Sequence, residues 1–174
     1  MNYQTFRDEK NPVVTLTVKN YGTITIELFP SVAPNTVNNF IHHIQNNFYE
    51  GLIFHRIIPG FMIQGGGGSS VKPIRGEFTL NGFDNPLMHT RGVISMARTS
   101  NPNSQTTQFF IMHQNAPHLD RQYASFGVVT SGIEVVDSIA TAKRDVSDRP
   151  YEDIIIESMT VDLKGLTYDA PIFL

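Results

Sequence analysis

Apolar residues recur at every second position in short runs along most of this chain, and the gaps between runs are mostly too short to hold a helix. Val14, Leu16 and Val18 alternate in this way, and Ile24, Ile26 and Leu28 do so again after Asn20–Gly22. A period of two lines one face of a strand, and a short glycine-containing connection folds two such strands into a hairpin. LIFHRII (Leu52–Ile58) and GFMIQ (Gly60–Gln64) form another pair around Pro59-Gly60. GVISMA (Gly92–Ala97), QFFIM (Gln108–Met112), SFGVVT (Ser125–Thr130) and DIIIESMTVDL (Asp153–Leu163) complete a set of eight strands. Helical spacing appears twice, at Val37, Phe40, Ile41 and Ile44, and at Ile133, Val136 and Ile139. Pro34 stands near the start of the first helix, where its missing N–H is harmless. Parallel pairing needs long crossovers, so antiparallel pairing is expected. The expected fold is therefore all-β: a closed eight-stranded antiparallel β-barrel, which leaves no edge exposed, capped by two α-helices. Side chains just fill the interior of a barrel of that size, so a ligand must bind outside, in a groove.

The totals narrow the function. A chain of 174 residues, 40% of them apolar, fits one domain with a real core. A formal net charge of −3 argues against a nucleic-acid partner. With no cysteine, there is no thiolate nucleophile and no disulfide, a composition that suits a reducing compartment. The opening MNYQTFRDEKNP has no apolar run that could serve as a leader, and no window approaches the length of a membrane span. A cytoplasmic protein is expected, with no membrane or nucleic-acid partner. No long apolar segment asks for a second copy, so a monomer is expected.

Most candidate chemistry weakens on inspection. His42 and His43 are neighbours on the first helix and point about 100° apart, so they do not readily share an ion. His55, His89, His113 and His118 lie in separate elements, so no metal site is expected. GGGGSS (Gly65–Ser70) lacks the ending of a phosphate-binding loop, and no nucleophile elbow surrounds Ser69 or Ser70. Arg56 is different, because it sits within an apolar strand pattern. On strict alternation Phe54 and Arg56 share one face, while Ile53, His55 and Ile57 share the other. Its stem could simply cover the sheet while its head stays wet. Alternatively, Arg56 with Phe61, Met62 and Gln64 makes an apolar pocket bearing a few oriented donors.

FHRIIPGFMIQGG (Phe54–Gly66) and GVISMARTSNPNSQTTQFFI (Gly92–Ile111) resemble the signature blocks of the cyclophilins, the peptidyl-prolyl cis-trans isomerases. FGVVTSGIEVVDSI and IIIESMTV agree, and the resemblance runs from about Val13 to Leu163 in the same order. The loop MARTSNPNSQTTQFF looks like the prokaryotic type. The resemblance implies an isomerase domain over 12–164, flanked by an N-terminal extension (1–11) and a C-terminal tail (165–174). It implies that rotation about X–Pro bonds is catalysed without cofactor or metal, assisting protein folding, with proline-containing peptides and unfolded or folding proteins as partners. Arg56 would be catalytic. Phe61, Met62, Phe110 and Leu119 would form the proline pocket, and Gln64, Ala97, Arg98 and Gln108 would hold the peptide before it. Where the best-known members carry tryptophan this chain has His118, and where they carry histidine at the pocket edge it has Tyr123. The family's tight cyclosporin binding leans on that tryptophan, so weak cyclosporin A binding is implied. Two other readings share the fold: a proline-peptide adaptor or holdase, and a structural barrel domain in a larger assembly. The intact Arg56 favours the enzyme, since mere binding does not need it.

Overall fold

The computed structural model describes residues 1–68 and 71–174; Ser69 and Ser70, set aside above as nucleophiles, lie outside them. Among the described residues, eight strands form one antiparallel sheet: β1 (Val13–Val18), β2 (Gly22–Leu28), β3 (Phe54–Ile58), β4 (Met62–Gly65), β5 (Val93–Met96), β6 (Phe109–Met112), β7 (Ser125–Ser131) and β8 (Ile156–Asp162). Their spatial order is β3-β4-β6-β5-β7-β2-β1-β8. Two helices, α1 (Pro34–Gln45) and α2 (Ile133–Ala140), stand where the period changes, the first packed on β8 and the second on β2 and β4. No helix among the described residues is long and apolar enough to cross a membrane.

The sheet curls into a half-barrel, and the expected continuous closure is not seen as a ladder. Its end strands, β3 and β8, meet through the single bridge Ile53–Ile155. Phe54 N–H donates to Ile154 O at 2.9 Å, but Ile57 N–H donates to Asp148 O at 2.8 Å. The loop before β8 thus covers the outer edge of β3 and satisfies it without a strand.

Alternation on β3 fails at one place, and this corrects the strict reading above. Phe54 pairs with Gly65 and Arg56 with Gln64, so His55 is an extra residue, a β-bulge. Phe54 and Ile57, three apart, both lie in the core, while Arg56 is exposed. The bulge separates Phe54 from Arg56, which alternation had placed together.

Residues 71–92 contain one 3-10 turn, Thr79–Asn81, and otherwise wrap the outer side of the sheet. This wrapping explains why β5 and β6 are buried at every position. Glu77 fastens the wrap. Its buried carboxylate accepts from Thr36 N–H at 2.6 Å and from Thr36 Oγ at 2.7 Å. The residue preceding α1, Ala33, makes no side-chain cap, so Glu77 supplies the acceptor that the helix start lacks. The flanking segments are also tied down. Glu27 accepts from Arg7 Nε, Asp8 N–H and Asn11 Nδ2, and the Asn35 side chain exchanges two hydrogen bonds with the backbone of Ile172.

Two predictions concern stability. Glu77→Ala strands a buried donor pair at Thr36 and should cost about 1–3 kcal/mol, read as a fall in Tm; an unchanged Tm would show that α1 does not depend on this cap. His43 is buried on α1 with no partner for Nε2, and burial, helped by His42, lowers its pKa from 6.5 to about 4. The unfolded chain therefore binds a proton that the folded chain refuses, and stability should fall as pH drops from about 6.5 to about 4. Denaturant titrations across that window should show a shallower fall for His43→Leu than for wild type.

Candidate active site

Register assembles the site. Arg56 pairs with Gln64, Gln64 with Phe110, and Phe110 with Ser95, so these four residues form one row across β3, β4, β6 and β5. Directly paired residues share a face, and here it is the outer one. Met62, two residues from Gln64, lies on the same face. Phe61 precedes β4, held by His113 N–H donating to its carbonyl at 2.8 Å. Leu119 comes from the 3-10 turn Pro117–Leu119.

The result is a cavity of about 140 Å³ lined by Arg56, Phe61, Met62, Gln64, Ala97, Arg98, Phe110, Leu119 and Tyr123. That volume suits a small apolar ring. Met62, Phe110 and Leu119 form a nearly buried floor, while Arg56 is exposed at the rim. Phe110 and Tyr123 meet edge to face, 5.7 Å between centroids. A second groove of about 200 Å³ adjoins it, sharing Gln64, Ala97 and Arg98 and adding Thr99, Ser104, Thr106 and Gln108.

Of the sequence-derived candidates, nine surround the first cavity. Gln108 lines only the second groove, and His118 lines neither. His118 is exposed, its ring tilted 33° over Phe61 at 5.6 Å, so it touches the pocket through that wall. Gln64 links the two spaces. Its Oε1 lies 3.5 Å from Arg56 Nη1, and its Nε2 donates to Gln108 Oε1 at 3.0 Å. Gly66, at φ +90, lets the end of β4 approach Thr107 closely: a Cβ there would come within 2.8 Å of Thr107 O.

Sequence reasoning missed the support beneath Phe110. His89 is buried and stacks on that ring, 16° between planes and 6.0 Å between centroids. Burial pushes the His89 pKa down to about 4, against the opposing pull of Asp120, so the ring is neutral at neutral pH. Nδ1–H donates to Asp120 Oδ1 at 3.1 Å, which leaves Nε2 to accept from Ser95 Oγ at 2.9 Å. Nothing in the periodicity marks a loop histidine as a wedge under a strand. Thr99, Ser104 and Thr106 were likewise invisible as groove residues, because they sit in an irregular polar loop.

Comparison with known proteins agrees with this architecture. The family model described as cyclophilin type peptidyl-prolyl cis-trans isomerase/CLD matches residues 13–161. A peptidyl-prolyl cis-trans isomerase of Acinetobacter baylyi is 47% identical over 133 residues, covering 70% of this chain and 68% of that one. Peptidyl-prolyl cis-trans isomerase B of Escherichia coli is 43% identical over 157 residues, covering 82% and 95%. The crystal structure of a Cryptosporidium parvum cyclophilin type isomerase, determined in the presence of the dipeptide Ala-Pro, superposes with a TM-score of 0.78 at 32% identity, covering 86% of this chain and 98% of that one. An antiparallel curled sheet with two helices, an outer apolar pocket and these matches together place the chain among the cyclophilin-type peptidyl-prolyl cis-trans isomerases.

Proposed function

We propose that the outer cavity is the isomerase active site, that Arg56 is its catalytic group, and that the adjoining groove grips the chain before the proline. The observation that carries this is an unneutralised guanidinium at the rim of an apolar cavity of proline size: no carboxylate among the described residues pairs with Arg56.

The chemistry explains the residue types. Amide resonance holds the X–Pro bond planar behind a barrier of about 18–20 kcal/mol. No covalent bond breaks, so what lowers the barrier is whatever uncouples the nitrogen lone pair from the carbonyl. A donor aimed at the prolyl nitrogen binds the twisted state better than the planar one, which is selective transition-state binding. An arginine keeps its proton at neutral pH and carries its donors in a rigid fork, so it acts as an electrostatic donor rather than an acid. Such a preorganised donor is worth about 2.7–4 kcal/mol. Phe61, Met62, Phe110 and Leu119 would anchor the ring and exclude water while the preceding carbonyl rotates. Gln64, Ala97, Arg98 and Gln108 would hold the peptide before the proline, with Tyr123 at the pocket edge.

On the same reading the isomerase domain spans 12–164, with 1–11 and 165–174 as packed flanks. The seam at Ile53–Ile155 serves as the closure of an eight-stranded barrel, since backbone bonds cross it from Phe54 to Ile154 and from Ile156 to Leu52. A cytoplasmic monomer acting on proline-containing segments of unfolded or folding proteins fits the cysteine-free composition.

Exchange NMR on a short X–Pro peptide should show catalysis by wild type, and by Arg56→Ala a loss of about 10²–10³ in rate with an unchanged Tm. Wild-type rates in the folded variant would remove Arg56 from the catalytic role; peptide binding by wild type without acceleration would favour the adaptor reading. His118 replaces the large ring that grips cyclosporin A in other members. His118→Trp should therefore tighten that drug by about tenfold or more, measured by calorimetric titration, and equal affinities would sink the idea.

A further inference from the structure

Two guanidinium groups face the same groove, and neither is neutralised. Arg7, Arg91, Arg144 and Arg149 are each paired with a carboxylate. Arg56 and Arg98 have no such partner among the described residues, and no Asp or Glu lines either cavity. This positive strip lies on a chain whose formal net charge is −3.

Arg98 is the better fixed of the two. Nε and Nη2 donate to Gln122 O at 3.1 and 2.6 Å, and Nη1 donates to Thr99 O at 2.9 Å. Its Cζ lies 4.8 Å from the ring centre of Phe78 and 4.5 Å from that of Tyr123. All four of its partners are neutral, so these contacts immobilise the charge without cancelling it. Three of the five N–H groups are engaged, which leaves two for a ligand. Arg98 is also one of three residues shared by both cavities, so its head stands where a peptide must cross from one to the other.

We infer that Arg98 is a specificity determinant that selects substrates carrying an acidic side chain within two residues on the N-terminal side of the proline. This rests on the reading of the cavity as the isomerase site and of the adjoining groove as the seat of the preceding residues. A carboxylate there meets an oriented donor that loses little freedom on binding, because its rotamer is already locked. A lysine at the same place meets two like charges, Arg98 and Arg56. The plain alternative is that Arg98 only walls the cavity by stacking on Tyr123, in which case the charge of the substrate is irrelevant.

The test is exchange NMR on X–Pro peptides that carry Glu, Gln or Lys at the first or second position before the proline, run with wild type, Arg98→Gln, Arg98→Lys and Arg56→Ala. At low salt wild type should favour Glu over Lys by about two- to fivefold in kcat/KM at one of these positions, with Gln between. Raising the salt toward 1 M should compress that span. Arg98→Lys should keep the order, and Arg98→Gln should flatten it. A wild type that turns over all peptides equally, or an Arg98→Gln variant with the wild-type span, overturns the assignment while leaving the isomerase reading intact. A wild type no faster than Arg56→Ala on any peptide, with neither above the uncatalysed rate, overturns the isomerase reading and this inference with it.

Discussion

One extra residue in β3 decides where the guanidinium of Arg56 goes. With regular pairing from Ile58 back through Arg56, Gly65 would oppose His55; instead it opposes Phe54. A slip of one residue turns every side chain to the other face. Placing the slip between Phe54 and Arg56 keeps Phe54 edge to face with Phe109, 5.9 Å between centroids, inside the sheet, with Arg56 still outside. A continuous ladder would have had to give up either the core aromatic or the outward charge. An arginine turned into that interior would find no counter-ion, at a cost far above that of a local kink. The bulge therefore satisfies the core and the site together, and the row Arg56–Gln64–Phe110–Ser95 follows from the register beyond it.

The outer face is also a second core. The wrap over residues 71–92, capped onto α1 by Glu77, buries the side of β5 and β6 that a simple barrel would leave to solvent. Within it, His89 is bonded on both ring nitrogens and pressed against Phe110. A satisfied buried polar network fixes geometry more sharply than apolar contact alone. The floor of the cavity is thus held from behind by groups that line neither cavity. This distinction separates His89, Ser95 and Asp120 from the residues that line the cavity.

The architecture was legible because its signals are local. Alternation in VTLTV and TITIEL, the glycine turns, and helical spacing in VNNFIHHI each depend on a few neighbouring residues, and the eight strands and two helices lie where they indicated. Pro34 does stand at the start of α1. What escaped depends on distant partners. The bulge at His55 is set by β4, the Glu77 cap by Thr36, and the edge cover on β3 by Asp148 and Ile154. In the same way nine candidates surround one cavity because motif and register agree on them, whereas His118 is held away on a 3-10 turn, with Phe61 its link to the pocket. Charge pairing is equally non-local: the sequence shows eight arginines, and only the fold shows which keep their charge free.

On the proposed reading of the site, that free charge links fold to chemistry. A reaction that breaks no bond gains nothing from a nucleophile, and it gains only as much from a donor as the donor's fixed aim allows. A guanidinium in a salt bridge would spend its field on its partner, and one without contacts would have to be ordered during each turnover. Arg98, bonded to neutral carbonyls, avoids both outcomes, and Arg56 has the neutral Gln64 amide beside it, 3.5 Å away. Neutral partners orient a cation without quenching it. Such partners need a rigid sheet with its outer face half covered, because an uncovered strand surface would supply water in their place. The wrap, the bulge and the amide relay are therefore parts of one requirement: a positive charge held still beside an apolar cavity.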